Sequence, residues 1–208
     1  MTQPNFSAMA VADLLDAFAS SDPTPGGGSA AALTGSIGVS LLLMVAGMAR
    51  TRTGAPEEAT DLAAGAARLR PLRDQLTALI DADANAYLAV IAAYRLAKAT
   101  DSEKAARVDA IALAMRAATD VPLHTLRACE NALREAPAIV RFGNPNAVAD
   151  AAVGARILLA AVEGAAMNVG VNLPGLKDAA YVLAADVERQ DLLIRARNLA
   201  QQSEAETP

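Results

Sequence analysis

Two groups of residues have the types and spacing for chemistry. One is a carboxylate set in an apolar stripe. Leu76, Leu79, Ile80, Tyr87, Val90, Ile91 and Tyr94 recur at helical spacing, and the gap three residues after Ile80 and four before Tyr87 is filled by Asp83. An acid therefore faces the core. Desolvation would raise its pKa and suit it to proton transfer, whereas pairing with an arginine or a cluster of N–H groups would lower it and make it structural. The residues alone leave both uses open. Asp81 shares a face with Asp74 and Asn85 and is expected to be solvated.

The other group is the stretch Asp22-Pro23-Thr24-Pro25-Gly26-Gly27-Gly28-Ser29. Pro23 and Pro25 fix their own φ and push Asp22 and Thr24 towards extended backbone. The three glycines then permit positive φ and leave no Cβ between backbone and ligand, and Ser29 is expected to N-cap a helix beginning at Ala30. Bare amides at a helix start attract carboxylate or phosphate. The other reading is a tight structural turn. The stretch has neither the Lys-Ser/Thr ending of a phosphate-binding P-loop nor a strand before it.

Other polar candidates are weaker. Asn168 and Asn172 lie four apart on one helical face, where two amides cap carbonyls or read a ligand's polar edge. Arg50 and Arg52 follow a long apolar run and are expected to serve as cations at its negative end. His124 is the only histidine and lacks companions at metal-ligand spacing, so no metal site is expected. Cys129 is the only cysteine and sits in an apolar helical run, as a buried inert thiol would. The net charge of −5 disfavours a nucleic-acid surface. Met1-Thr2-Gln3-Pro4 lacks the basic start of a signal peptide, and the chain reads as cytoplasmic.

The elements that must position these residues are helices. With 53% hydrophobic and 3% aromatic residues in 208, the chain reads as one domain whose core is made of small and aliphatic side chains. No segment alternates as a strand would, and about six main helices are expected. A short helix carries Val11, Leu14, Leu15 and Phe18 after a cap at Ser7. The charge-free run Ala30 to Ala49 has the length of a membrane span, but reads better as a helix buried on all sides in a bundle or a dimer. Pro56-Glu57-Glu58 opens the next helix, which Pro71 is expected to kink or break. Thr100 to Glu103 is a capping box, and a kink is expected at Pro122. Gly143-Asn144-Pro145-Asn146 turns into a helix with Asp150 in its first turn. Leu173-Pro174-Gly175-Leu176 leads to a last helix facing inward through Tyr181, Leu183, Val187, Leu192, Ile194 and Leu199, before a polar tail from Gln201.

Taken in order, Pro23 to Ser29, Asp83-Ala84-Asn85-Ala86-Tyr87, Asp120-Val121-Pro122-Leu123, Gly143 to Asn146 with Asp150, and Asn168 to Asn172 with Leu173-Pro174-Gly175-Leu176 resemble the formimidoyltetrahydrofolate cyclodeaminase and methenyltetrahydrofolate cyclohydrolase family. The resemblance covers nearly the whole chain. It implies an all-α fold, a homodimer, folate clefts near the subunit interface, and chemistry on the one-carbon bridge between N5 and N10 of tetrahydrofolate, with no metal or nicotinamide cofactor. Asp83 matches the family's candidate for proton transfer and for stabilising the cationic bridge. Pro25, Gly26, Gly27, Gly28 and Ser29 match a loop at the cleft, and Asn144, Asp150, Asn168 and Asn172 match polar positions around the substrate. Arg50 and Arg52 stand where family members often carry lysines, so a glutamate tail would be held differently there. The rival expectation is a non-catalytic helical dimer that binds a folate or serves as an interaction module.

Overall fold

The charge-free run folds as the central helix of an all-helical molecule. The structure, a computed structural model, describes residues 5–206. Its helices are α1 (Val11–Ala19), α2 (Gly27–Ala46), α3 (Pro56–Tyr94), α4 (Asp101–Leu133), α5 (Ala136–Phe142), α6 (Val148–Asn172) and α7 (Ala179–Ala205), with 3₁₀ turns at Phe6–Ala8, Pro145–Ala147 and Leu173–Gly175. Six of the α-helices have nine or more residues, and the described residues contain no strand. The reading of residues 1–4 as lacking a leader lies outside the described part.

Helix α2 packs chiefly on α6 and α3, and α4 closes the bundle against α3 and α6. Small residues set these distances. A Cβ on Gly38 would sit 2.9 Å from the Gly154 carbonyl oxygen and 2.7 Å from Leu158 Cγ, so α2 and α6 meet nearly backbone to backbone. Gly38→Val should therefore lower stability by about 1–3 kcal/mol through overpacking, read as a fall in melting temperature. An unchanged melting point would contradict this account of the crossing.

Cover for α2 is one-sided. Val39, Leu42 and Val45 are fully buried, but Ile37 is 47% and Met44 43% exposed, so a stripe two turns long faces outward. Three stretches, Gly27–Ala46, Pro56–Tyr94 and Pro145–Gly175, are long and apolar enough to cross a membrane by length and composition.

Neither helix-interior proline ends its helix. Pro71 is exposed, as is Ala67, whose carbonyl loses its helical donor on the solvent side of α3. Pro122 is buried, and the carbonyl it frees, that of Ala118, accepts from Asn172 Nδ2 at 2.7 Å. A side chain from α6 thus replaces the missing N–H. The capping box at Thr100 and Glu103 forms in full.

Other expectations are corrected by packing. Helix α1 begins at Val11, and Ser7 lies in the preceding 3₁₀ turn rather than capping it. There Asp81 accepts from Phe6 N–H at 2.6 Å and from the Ser7 hydroxyl, so Asp81 is not merely solvated but pins the N-terminal turn to α3. Helix α7 faces inward through Ala185, Leu192, Ala196 and Ala200, leaving Leu183, Val187 and Ile194 exposed, and it continues to Ala205. Cys129 is fully buried, which pushes its thiol up to about 12, and His124 is exposed.

Candidate active site

In the last third of α3, Asp83 reaches across to the first turn of α2. Its Oδ2 accepts from the Ser29 backbone N–H at 2.8 Å, and the Ser29 hydroxyl lies 3.1 Å from the same oxygen and 2.8 Å from the Ile80 carbonyl. The helix starts three residues earlier than expected, with Gly26 as N-cap and no side-chain cap of its own. Ser29 is therefore its third residue, and the carboxylate of another helix takes the N–H that an N-cap side chain would normally satisfy. The positive end of α2 favours a negative charge there.

This contact requires Gly28. A Cβ at that position would overlap Asp83 Oδ1 and come within 2.5 Å of Asp83 Cγ. The loop glycines are not spent on unusual dihedrals, because the only positive φ among the described residues is at Gly54, 86°. What they provide is close approach.

Asp83 Oδ1 has no hydrogen-bond partner among the described residues and borders a cavity of about 320 Å³. The cavity walls are Pro23, Thr24, Gly26, Gly27 and Gly28, Tyr87 and Val90 of α3, Met115 and Ala118 of α4, and Asn168 and Asn172 of α6. Burial pushes the Asp83 carboxyl above its ordinary range, opposed by the two Ser29 hydrogen bonds, and no cation among the described residues pairs with it. The arginine-paired alternative is thus replaced by a desolvated acid, anchored on one oxygen and open on the other. Such a group holds or releases a proton more readily near neutrality than a free carboxylate does.

Of the sequence candidates, Gly26, Gly27, Gly28, Asp83, Asn168 and Asn172 line this cavity, with Ser29 directly behind it and Pro25 buried beside it. Asn168 donates to the Gly164 carbonyl at 2.9 Å, and its amide would be 3.5 Å from a Cβ on Gly27, so its oxygen stays close to the glycine backbone.

Four candidates lie elsewhere in the chain. Arg50 is exposed beyond the far end of α2, roughly 30 Å along that helix from the glycines. Arg52 caps α5 rather than α2, donating to the carbonyls of Val140 and Arg141 at 3.1 Å. Asn144 accepts from Asn146 N–H at 2.9 Å within its own turn, and Asp150 is exposed in the first turn of α6, at the end opposite Asn168. Sequence reasoning missed Tyr87, Met115 and Ala118. Tyr87 stands one turn after Asp83 on the same face and was read as core, yet it is 41% exposed. Ala118 was signalled indirectly, because Pro122 leaves its carbonyl in need of a donor.

Comparison with known proteins identifies the family. The family model for formiminotransferase-cyclodeaminase matches residues 10–191. A methenyltetrahydrofolate cyclohydrolase of Methylorubrum extorquens is 41% identical over 182 residues, 88% of each chain. The formimidoyltransferase-cyclodeaminase of Gallus gallus is 32% identical over 154 residues, which are 74% of this chain but 28% of that longer protein. In fold, the chain resembles the crystal structure of a formiminotetrahydrofolate cyclodeaminase from Thermotoga maritima, with a TM-score of 0.86 over 98% of both chains at 22% identity. With most of its length matched by the family model and two-fifths of the aligned residues shared with a relative of the same size, the chain belongs to the formiminotransferase-cyclodeaminase family.

Proposed function

We propose that the protein is a methenyltetrahydrofolate cyclohydrolase, adding water to the one-carbon bridge of 5,10-methenyltetrahydrofolate to give 10-formyltetrahydrofolate. The observation that carries this reading is Asp83, fixed through Oδ2 and open to the cavity through Oδ1, with its carboxyl raised by burial. The substrate carbon is an amidinium cation. A carboxylate beside it lowers the energy of its approach and takes a proton from the attacking water as the C–O bond forms. Asp83 then gives that proton to N5 as the C–N5 bond breaks, and the hydroxyl proton leaves to solvent as the formyl carbonyl forms. One proton is released overall. Because the reacting carbon carries its own positive charge, the reading calls for no metal or redox cofactor.

The cyclohydrolase is preferred to the cyclodeaminase because the relative of matching length carries the former name, at higher identity. The cyclodeaminase is the second reading, favoured by the bifunctional relatives. There N10 attacks the formimino carbon and its proton passes through Asp83 to the departing nitrogen, which leaves as ammonia. Following the methenyl absorbance with each substrate separates the two. Failure to accelerate either reaction would leave a non-catalytic folate-binding or interaction module.

The reading includes a soluble cytoplasmic homodimer that binds neither membrane nor nucleic acid. Its support is the outward stripe of Ile37 and Met44 on α2, a helix without a polar face that a second copy would cover, together with the acidic balance of the chain. Replacing both Ile37 and Met44 by glutamate should convert a dimer to a monomer in analytical ultracentrifugation. A wild-type monomer, or protein recovered only in detergent, would contradict this part. By the same reading, Arg50, Arg52, Asn144 and Asp150 contribute to binding only where a partner's surface completes a cleft.

A further inference from the structure

The Asp83 cavity is small for a whole folate. At about 320 Å³ it lies at the bottom of the roughly 300–1,000 Å³ range of ligand pockets, whereas the substrate proposed above joins a pterin to an aminobenzoyl ring and a glutamate. A second hollow of about 630 Å³ lies further along α4, between it and the segment from Gly175 to Tyr181, with Tyr94 of α3 at its edge. On α3, Tyr87 and Val90 border the first cavity and Tyr94, on the same face, borders the second. On α4 the first takes Met115 and Ala118 and the second takes Val108 and Ile111. Met115 packs against Gly175, so its side chain marks where one hollow gives way to the other. From Ala118 to Val108 is about 15 Å along the helix, the reach of an extended aminobenzoylglutamate.

The second hollow is apolar along α3 and α4 and cationic at its far wall. Arg116 lies 3.3 Å over the Tyr181 ring and is held by Asp120 at 3.3 Å, while Asp120 accepts from the Tyr181 hydroxyl at 2.7 Å. Burial, then the Asp120 carboxylate, pushes the Tyr181 phenol up to about 12, so it stays a donor and the guanidinium is kept in place. Beside it Lys177 is exposed and has no ion pair among the described residues. The one carboxylate lining the hollow, that of Asp178, accepts from Tyr181 N–H at 3.1 Å as the cap of α7 and lies 4.0 Å from Arg116 Nη1, so Arg116 is paired twice and Lys177 is the cation left open.

We infer that this hollow is the subsite for the aminobenzoylglutamate part of the substrate, with the ring against Tyr94 and Ile111 and a glutamate carboxylate on Lys177. The inference rests on the folate reading, but the two fail separately. Lys177→Ala should raise KM for methenyltetrahydrofolate about tenfold, the worth of one charge-assisted hydrogen bond, with kcat little changed. Ile111→Trp, which fills the hollow without removing a charge, should raise KM in the same way. N-(4-aminobenzoyl)-L-glutamate should inhibit the wild type competitively and Lys177→Ala more weakly. Absence of turnover by the wild type overturns the folate reading. Turnover with KM unchanged in both variants overturns the subsite alone, and a change of oligomeric state in Ile111→Trp with KM unchanged would mean that a second copy occupies the hollow.

Discussion

Asp83→Asn is expected to lower the rate on methenyltetrahydrofolate by roughly 10²-fold or more while leaving the protein folded. The geometry separates the two roles of this side chain. As a cap on α2 it needs only an oxygen to accept the Ser29 N–H, and an asparagine oxygen serves at the same 2.8 Å position. As a proton carrier it needs a carboxylate, which the amide is not. Stability follows the direction of the pKa. The folded carboxyl is raised above its ordinary 3.8 by burial, so the stabilisation it contributes is present in full below the unfolded pKa and lost as pH rises through the folded one. An uncharged asparagine avoids that loss, and the variant should melt at or above the wild type at pH 8. The same shift predicts that wild-type activity falls on acidification at a pH above that of a free carboxylate, with no such limb left in Asp83→Asn. Asp81 is unsuitable as a control because it holds the Phe6 turn, but Asp61, exposed on α3, should tolerate asparagine without either effect. A folded Asp83→Asn protein with near-wild-type turnover would sink the catalytic assignment.

What could be read from the sequence here was periodic or capped, and what could not was decided between elements. The inward direction of Asp83 followed from its place in the stripe after Leu76, Leu79 and Ile80, all of which are buried. The same stripe misled two turns later, because Tyr87 and Tyr94 face the groove rather than the core, and period alone does not distinguish a buried face from a cavity wall. The capping box at Thr100 is local and was legible. The start of α2 was not, since its third N–H is satisfied by a carboxylate 54 residues away that no local rule could supply. Pro122 is the intermediate case. Its freed carbonyl announces that some donor must come, but only the packing of α6 on α4 identifies Asn172 and thereby fixes the amide at the cavity. In α7 the larger apolar residues suggested one face, but alanines make the close contacts and Leu183, Val187 and Ile194 are left outside.

The adjacent glycines should respond very differently to a single methyl group. Gly28→Ala is expected to reduce activity by about 10²-fold, close to the loss in Asp83→Asn, whereas Gly27→Ala should be mild. Both lie in the first turn of α2 with no positive φ, so alanine strains neither backbone and each gains a little intrinsic helix propensity. The difference is in what the new Cβ meets. At Gly27 it would lie 3.5 Å from Asn168 Nδ2, an ordinary contact. At Gly28 it would overlap Asp83 Oδ1 and crowd Oδ2 at 2.8 Å, so the carboxylate must swing away from Ser29 and lose both the N–H that orients it and its aim into the cavity. A side chain that has already left its station has little more to lose, so the double variant Gly28→Ala with Asp83→Asn should be no slower than the worse single one, a coupling that a cycle of the four proteins measures directly. Were Gly27→Ala instead the more damaging, the glycines would be serving the approach of substrate to bare backbone rather than the seating of Asp83. Additive losses in the double variant would likewise show that Gly28 acts on the reaction by a route other than this carboxylate.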